Sequence, residues 1–190
     1  MPPKLLTLLA STIAAFVFLF PGASDTSAQR RDYLTDAEME IVRDAQNIDM
    51  RVDVLTKMID RRFNALGIDV GGWKEPAKAA AQWGEAPKGT RLQLLTDIRQ
   101  LLQKSVDDID DVAAHDANGQ AQNKIEGKLF PKAVRSLAAA SQRYLNVLKP
   151  LAEKTADEKE KGTMLSSIEL CDQILEAVSK LPPEKPKGKS

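Results

Sequence analysis

The residues best suited to covalent chemistry are the only cysteine and the only histidine of the chain, Cys171 and His115. A thiolate attacks electrophiles, and an imidazole is the usual base that removes the thiol proton, so this pair would be the raw material of a cysteine nucleophile. Cys171, however, is in phase with Ile168 and Ile174 on an apolar helical stripe. A thiol in that position packs as a small core side chain and is unreactive. We therefore predict no catalytic residue and no enzymatic activity.

Metal chemistry would depend on the acidic segment 107–116, which contains the histidine. Asp111 and His115 are four residues apart, so they share one face of a helix and together offer an oxygen and a nitrogen ligand to a divalent cation. Metal sites in helical bundles usually take inward-facing Glu-x-x-His ligands from several helices, and that motif is missing from the sequence. We predict a solvated acidic face with no metal and no cofactor, and keep Asp111 and His115 as the alternative.

Two tryptophans, Trp73 and Trp83, lie in the longest predicted loop, residues 68–89. Loops above ~12–15 residues are commonly functional or disordered. Exposed aromatic side chains are enriched where one protein contacts another, so one hypothesis is that this loop binds a protein partner through its indoles. The other hypothesis is that the loop folds over the helices and that the indoles fill a gap between the first two of them.

The elements that must position these groups are four amphipathic helices, because apolar residues recur at steps of three and four in four segments. A Thr35–Glu38 capping box starts the first helix, and Gly67 is a typical C-terminal stop. Pro150 should end or kink the third helix. The predicted helices cover about 35–66, 90–114, 129–151 and 155–181, the last starting at a second capping box, Thr155–Glu158.

Four apolar stripes of similar length must bury one another. The simplest all-α solution is an antiparallel up-down-up-down four-helix bundle in which the loop 68–89 is an insertion. In this arrangement we expect four residues, one from each helix, to face a common interior: Leu55, Leu102, Leu137 and Ile174.

The N-terminus has the layout of a signal peptide: Lys4, the apolar run Leu5–Phe20, the helix breakers Pro21-Gly22, and small residues up to Ala28. The run gives roughly 24 Å of helix, short of the ~30 Å hydrocarbon core. We therefore expect residues 1–28 to be cleaved before Gln29, giving a periplasmic or secreted protein without stable membrane insertion. A retained anchor is the alternative, because the bilayer can thin locally.

Composition limits the remaining possibilities. Lys plus Arg and Asp plus Glu each number 27, so the formal net charge is zero and we expect no nucleic-acid partner. The mature chain of about 160 residues fits one domain, residues 29–181, followed by a disordered basic tail, 182–190. A single cysteine cannot form an internal disulfide, so stability must come from packing.

The segment RRDYLTDAEMEIVRDAQNIDMRVDVL resembles a group of exported bacterial helical proteins to which no activity is attached. The similarity lies in Tyr33-Leu34-Thr35, in Arg43-Asp44-Ala45-Gln46, in the charges of Asp49 and Arg51, and in SQRYL at 141–145. It implies an envelope location and the same bundle, with no site residue to transfer. We expect an exported, non-enzymatic interaction or structural module of the bacterial cell envelope. The alternative is a periplasmic helical bundle that binds a small ligand or a divalent metal, and the oligomeric state stays open.

Overall fold

The computed structural model describes residues 32–77, 80–117 and 126–183. Every regular element in these ranges is helical, which confirms the all-α prediction. The helices are α1 Asp36–Asp44, α2 Ile48–Ala65, α3 Ala80–Trp83, α4 Arg91–Ala117, α5 Glu126–Lys154 and α6 Glu158–Ser179. No helix in these ranges has both the length and the apolar character needed to cross a membrane. The predicted signal peptide, residues 1–28, and most of the predicted tail, 184–190, lie outside the described residues.

The first predicted helix is in fact two helices, α1 and α2, separated by Ala45–Asn47. The capping box is present: Glu38 N donates to Thr35 Oγ1 (3.2 Å), and Thr35 N donates to Glu38 Oε2 (3.1 Å). Glu38 also binds Arg62, 24 residues later. A continuous helix would separate those residues by about 36 Å, so the chain must turn back between them. Prediction of one helix over 35–66 was therefore wrong.

The end of α2 is the glycine stop that the sequence predicts. Gly67 has φ +73°, which favours a residue without Cβ. Gly67 N donates to Asn64 O and Ile68 N donates to Phe63 O, both at 2.9 Å. These two bonds form a Schellman motif and satisfy two of the last carbonyls of α2. The motif turns the chain into the loop 68–89.

Several boundaries differ from their predictions, and the structure explains two of these differences. Pro150 does not end α5, which continues to Lys154. Proline has no N–H to donate to the carbonyl four residues earlier, but Pro150 is exposed, so water can donate to that carbonyl instead. The N-cap of α6 is Asp157 and not Thr155. The Asp157 carboxylate accepts hydrogen bonds from the backbone amides of Lys159 and Glu160. Thr155 Oγ1 donates back to Leu151 O at 2.8 Å instead. An aspartate two residues downstream is the better cap because its charge also favours a helix N-terminus.

The four long helices share one apolar core. Helices α2 and α6 each pack against both α4 and α5. The core cluster includes Leu55, Leu102, Leu137 and Ile174, as predicted. The prediction that these four side chains face a common interior is therefore confirmed.

Side-chain pairs along α2 and α5 show that these two helices run parallel. Lys132 Nζ donates to Asp49 Oδ2 (2.7 Å) near the start of each helix. Further along both, Tyr144 OH donates to Asp60 Oδ1 (3.0 Å). The pairs advance in the same direction on both helices, so α2 and α5 point the same way.

Helices α5 and α6 run in opposite directions. Arg135, early in α5, donates to Pro182 O just beyond the end of α6 (2.5 Å). Late in α5, Lys149 Nζ lies 3.4 Å from Oδ1 of Asp172, which precedes Pro182 by ten residues. The order of the contacts is reversed, as expected for two helices joined by the short connection 155–157.

Candidate functional site

The densest group of polar side chains in the described structure lies on the C-terminal half of α2. Asp60, Arg61 and Arg62 are consecutive, and each is at most 2% exposed. Charged residues are almost never fully buried unless they are paired. We call these three residues, together with the groups that they bind, the α2 charge cluster. Its contacts tie three separate parts of the chain to α2.

The first part is α1, which is held through Glu38. Both terminal nitrogens of Arg62 donate to the Glu38 carboxylate, and the Nη2–Oε2 distance is 2.6 Å. Arg62 Nη2 also donates to Tyr33 O (2.6 Å), just before the capping box. Burial alone would raise the pKa of Glu38, but the hydrogen bond and charge of Arg62, an amide of the capping box and the charge of Arg61 together lower it. Glu38 is therefore an ionised carboxylate inside the protein.

The second part is the loop 68–89, which is held through Arg61. Arg61 Nε donates to Glu75 Oε2 (2.8 Å) and Nη2 donates to Glu85 O (2.9 Å). Nη1 of the same guanidinium donates to Glu38 Oε1 (2.7 Å). The guanidinium carbon also lies 5.6 Å from the centroid of the Trp83 ring, within the range of a cation–π contact. One side chain therefore joins α1, both arms of the loop and α2.

The third part is α5, which is held through Asp60. Asp60 Oδ1 accepts from Tyr144 OH (3.0 Å) and from Arg143 Nη1 (3.3 Å), while Oδ2 accepts from Trp73 N (2.7 Å). Burial raises the pKa of Tyr144 well above its usual value, and the charge of Asp60 adds to this shift. The hydroxyl stays protonated and acts as a hydrogen-bond donor.

The close approach of loop and helix at Asp60 depends on a glycine. A Cβ added at Gly72 would lie 2.1 Å from Arg143 Nη1 and 2.3 Å from Asp60 Oδ2. Neither distance is compatible with van der Waals contact, so any larger residue must displace one of the two charged groups. Gly72 thus sets the spacing at which the loop lies on the ion pair.

The two loop tryptophans face inwards. Trp83 is 5% exposed and belongs to the core cluster, and Trp73 is half-buried and packs against that cluster. Their ring centroids are 5.0 Å apart, with an angle of 41° between the planes. The burial of the indoles agrees with the hypothesis that the loop folds over the helices, whereas the gap between the first two predicted helices stays a prediction. This burial leaves little of Trp83 for a partner to contact.

The structure does not bring Cys171 and His115 together as a nucleophile and its base. Cys171 is a free thiol at 0% exposure on α6, whereas His115 is exposed near the end of α4. Burial is the main cause that raises the pKa of the Cys171 thiol to about 12. The thiolate that nucleophilic attack requires is therefore absent near neutral pH.

Asp111 and His115 form only a local contact. His115 Nδ1 lies 2.7 Å from the backbone carbonyl oxygen of Asp111 and 3.5 Å from its Oδ1, with both side chains exposed. In the described ranges, no three His, Cys, Asp or Glu side chains lie close enough together to hold one metal ion. The pair has an i,i+4 helical contact and gains no further ligand from the described neighbours.

Sequence reasoning missed the α2 charge cluster, although one signal was present. Adjacent helical residues are about 100° apart, so three consecutive charges between Ile59 and Phe63 cannot all face away from a core that both of these residues enter. This geometry places Asp60 and Arg62 beside the apolar stripe, where a charge is either solvated or buried together with a partner. Nothing local identified that partner, because Glu38 and Glu75 lie far away in the chain.

Comparison with known proteins returned no match: no protein-family model, no curated protein and no solved structure is similar to this chain.

Proposed function

We propose that this chain is an exported, non-enzymatic helical protein that acts as an interaction or structural module of the bacterial cell envelope. The observation that carries this proposal is the set of contacts made by Arg61, which binds Glu38 of α1 and both Glu75 and Glu85 in the loop 68–89. The charged groups of the α2 charge cluster bind other parts of the chain and hold them against α2. This is what a scaffold for a presented surface requires.

A loop fixed in this way is preorganised for binding. Ordering a residue's backbone costs about 1–2 kcal/mol, and a loop held by buried bonds meets that cost on folding and not on association. The outer face of the loop carries charges of both signs, paired as Asp69 with Lys74 (2.8 Å) and Glu85 with Lys88 (2.5 Å). The partner proposed for this face is a protein with a polar, mixed-charge surface. The contact would use the outer face of the loop, with Trp73 and Trp83 supporting it from below.

Photo-crosslinking tests this assignment. A photoreactive amino acid at Gln82, exposed in the loop, should capture a defined envelope protein, whereas one at Glu169, exposed on α6, should not. Glu75→Gln removes the charge that binds Arg61 Nε, so it should lower the yield from Gln82 while the helical circular dichroism stays unchanged. Equal capture from both positions, or no capture from Gln82, would contradict the proposed surface.

We further propose that the four long helices form a four-helix bundle whose direction alternates along the chain; it differs from the simple antiparallel bundle expected from the sequence because the parallel helices α2 and α5 are side neighbours. Spin labels test the directions. A label pair at Met50 and Lys132, both exposed, should give a distance shorter by roughly 20–25 Å than a pair at Met50 and Lys149, because 17 residues of α5 separate the two sites. The reverse order of distances would exclude this topology. Cys171 is buried and should stay unlabelled.

Export is proposed on the leader alone, whose apolar run is short and whose exit residues are small. Intact-mass measurement of the protein from the envelope fraction should give a chain beginning at Gln29. A species that retains Met1 and stays with the membranes would instead favour the anchor.

A further inference from the structure

A cavity of about 160 Å³ lies between α4, α5 and α6, away from the α2 charge cluster. All three helices line it with aliphatic side chains: Val106, Ile109, Val134, Leu137, Ile174 and Ala177. Two polar residues, Asp110 and Gln173, complete the lining, and both are exposed. The cavity therefore has an apolar interior and a polar mouth.

The volume decides what class of group the interior can hold. An enclosed apolar cavity of about 150 Å³ takes up a benzene ring, so this half-open cavity of similar volume has room for one ring. Water is a poor occupant because it would find few polar partners among the aliphatic side chains. A single aromatic ring or a short branched alkyl group fits both the volume and the lining.

The polar residues at the mouth indicate which charge on a ligand the site would favour. Asp110 has no hydrogen-bond or ion-pair partner among the described residues, whereas its neighbour Asp108 binds Lys104 (3.1 Å). No cation is among the residues that line the cavity, and two cations of the adjoining helices bind other groups: Arg135 binds Pro182 O and Lys180 binds Glu176. An exposed carboxylate beside an apolar cavity favours a cationic head attached to an apolar body.

We propose that this cavity is a binding site for small primary amines with an aromatic or branched alkyl group, which places the ring between the helices and the ammonium beside Asp110. The two parts of the site make separate demands on a ligand. The aliphatic lining selects for the ring, and Asp110 selects for the charge. This site is independent of the proposed partner surface at the loop 68–89.

Benzylamine is a suitable probe, since it is a cation at pH 7 and matches the neutral benzyl alcohol in size. In full-length protein with isotope-labelled methyl groups, benzylamine at about 20 mM should shift the NMR signals of Ile109, Leu137 and Ile174. Its affinity at low salt should exceed that of benzyl alcohol by roughly fivefold, as for an exposed ion pair. Unchanged methyl signals, or equal affinities for the two probes, would overturn the proposal.

Variants separate the two demands. Ala177→Phe fills the cavity and should abolish binding of both probes; persistence of binding in a folded variant would overturn the site. Asp110→Asn should weaken benzylamine by roughly fivefold and leave benzyl alcohol unchanged. Asp111→Asn is the matched control. Asp111 is the next residue and carries the same charge, but it does not line the cavity. Equal effects of the two Asn variants would overturn the role of Asp110, and this comparison holds even where Ala177→Phe does not fold.

Discussion

Arg62 donates through both terminal nitrogens to the carboxylate of Glu38, and neither residue is more than 1% exposed. This pair closes the turn that brings α1 back onto α2. A buried ion pair is not by itself strongly stabilising, because removing two charges from water is costly. Breaking such a pair is a different matter, since the remaining charge stays buried without compensation. The cluster is therefore sensitive to loss of a single member.

Glu38→Gln should lower the free energy of unfolding by about 3–5 kcal/mol, because Arg61 and Arg62 keep their buried charges and lose the shared carboxylate. Urea denaturation measures the effect. Glu40→Gln is the control on the same helix. Glu40 is exposed and pairs with Arg43 alone among the described residues, so this variant should lose less than ~1 kcal/mol of unfolding free energy. Similar losses in the two variants would mean that Glu38 is not buried in an ion-pair cluster.

Acid should weaken the attachment of α1. The pKa of Glu38 is lowered in the folded protein, so its contribution to stability is fully present above the pKa of an unfolded glutamate, about 4.3, and is lost as the pH falls through the lower folded value. Unfolding free energies measured from pH 7 to pH 3 should fall in the wild type. In Glu38→Gln the same curve should be flatter below about pH 4.3, because other carboxylates still titrate but Glu38 does not. Parallel curves would contradict the assignment.

Local signals were sufficient to predict the start of α1, the end of α2 and the core. Gly67 ends α2 because a residue without Cβ suits its positive φ, and Leu55 and Leu137 are buried because their positions repeat along an apolar stripe. The break at Ala45–Asn47 left no such signal. The stripe continues through Ile41, Ala45 and Ile48, so periodicity favours one helix; what decides against it is the long-range contact of Glu38 with Arg62.

The candidate site was harder to predict for the same reason. Consecutive charges such as Asp60, Arg61 and Arg62 usually indicate a solvated face, and only tertiary contacts with Glu38 and Tyr144 explain their burial. Trp73 and Trp83 lie in the loop that contacts the α2 charge cluster, and its function stays a prediction. The choice between a partner surface and a structural cover depends on exposure, which a loop sequence does not encode.

Gly72→Ala should destabilise the protein by about 1–3 kcal/mol, because the added methyl must displace Arg143 or Asp60. Thermal and urea unfolding both report this loss. Gly162→Ala is the matched control, since a Cβ there meets nothing within 4 Å and alanine favours the interior of α6. The control should be stabilised by roughly 0.5–1 kcal/mol. Tolerance of alanine at Gly72 would show that the loop does not lie tightly on Asp60.

Cys171 should resist thiol reagents in the native protein. Its pKa is raised to about 12 by burial, so at pH 8 it is both inaccessible and protonated. Labelling in buffer should follow the rate of unfolding and become immediate in denaturant. Leu165→Cys introduces an exposed thiol on the same helix and should react at once, which controls for the reagent. If Cys171 in the native protein reacts as fast as the introduced thiol, it is accessible and reactive, and the prediction is wrong.

Trp83→Ala should cost about 3–5 kcal/mol, because an indole that is 5% exposed leaves a cavity and Arg61 loses its ring contact. Trp73→Ala should cost less, since Trp73 is only half-buried. Trp83→Phe should recover part of the loss, because a smaller ring still faces the guanidinium. Urea denaturation followed by circular dichroism measures all three without relying on tryptophan fluorescence. A loss below ~1 kcal/mol for Trp83→Ala would show that the indole does not support the loop, and would favour the hypothesis that the tryptophans contact a partner directly.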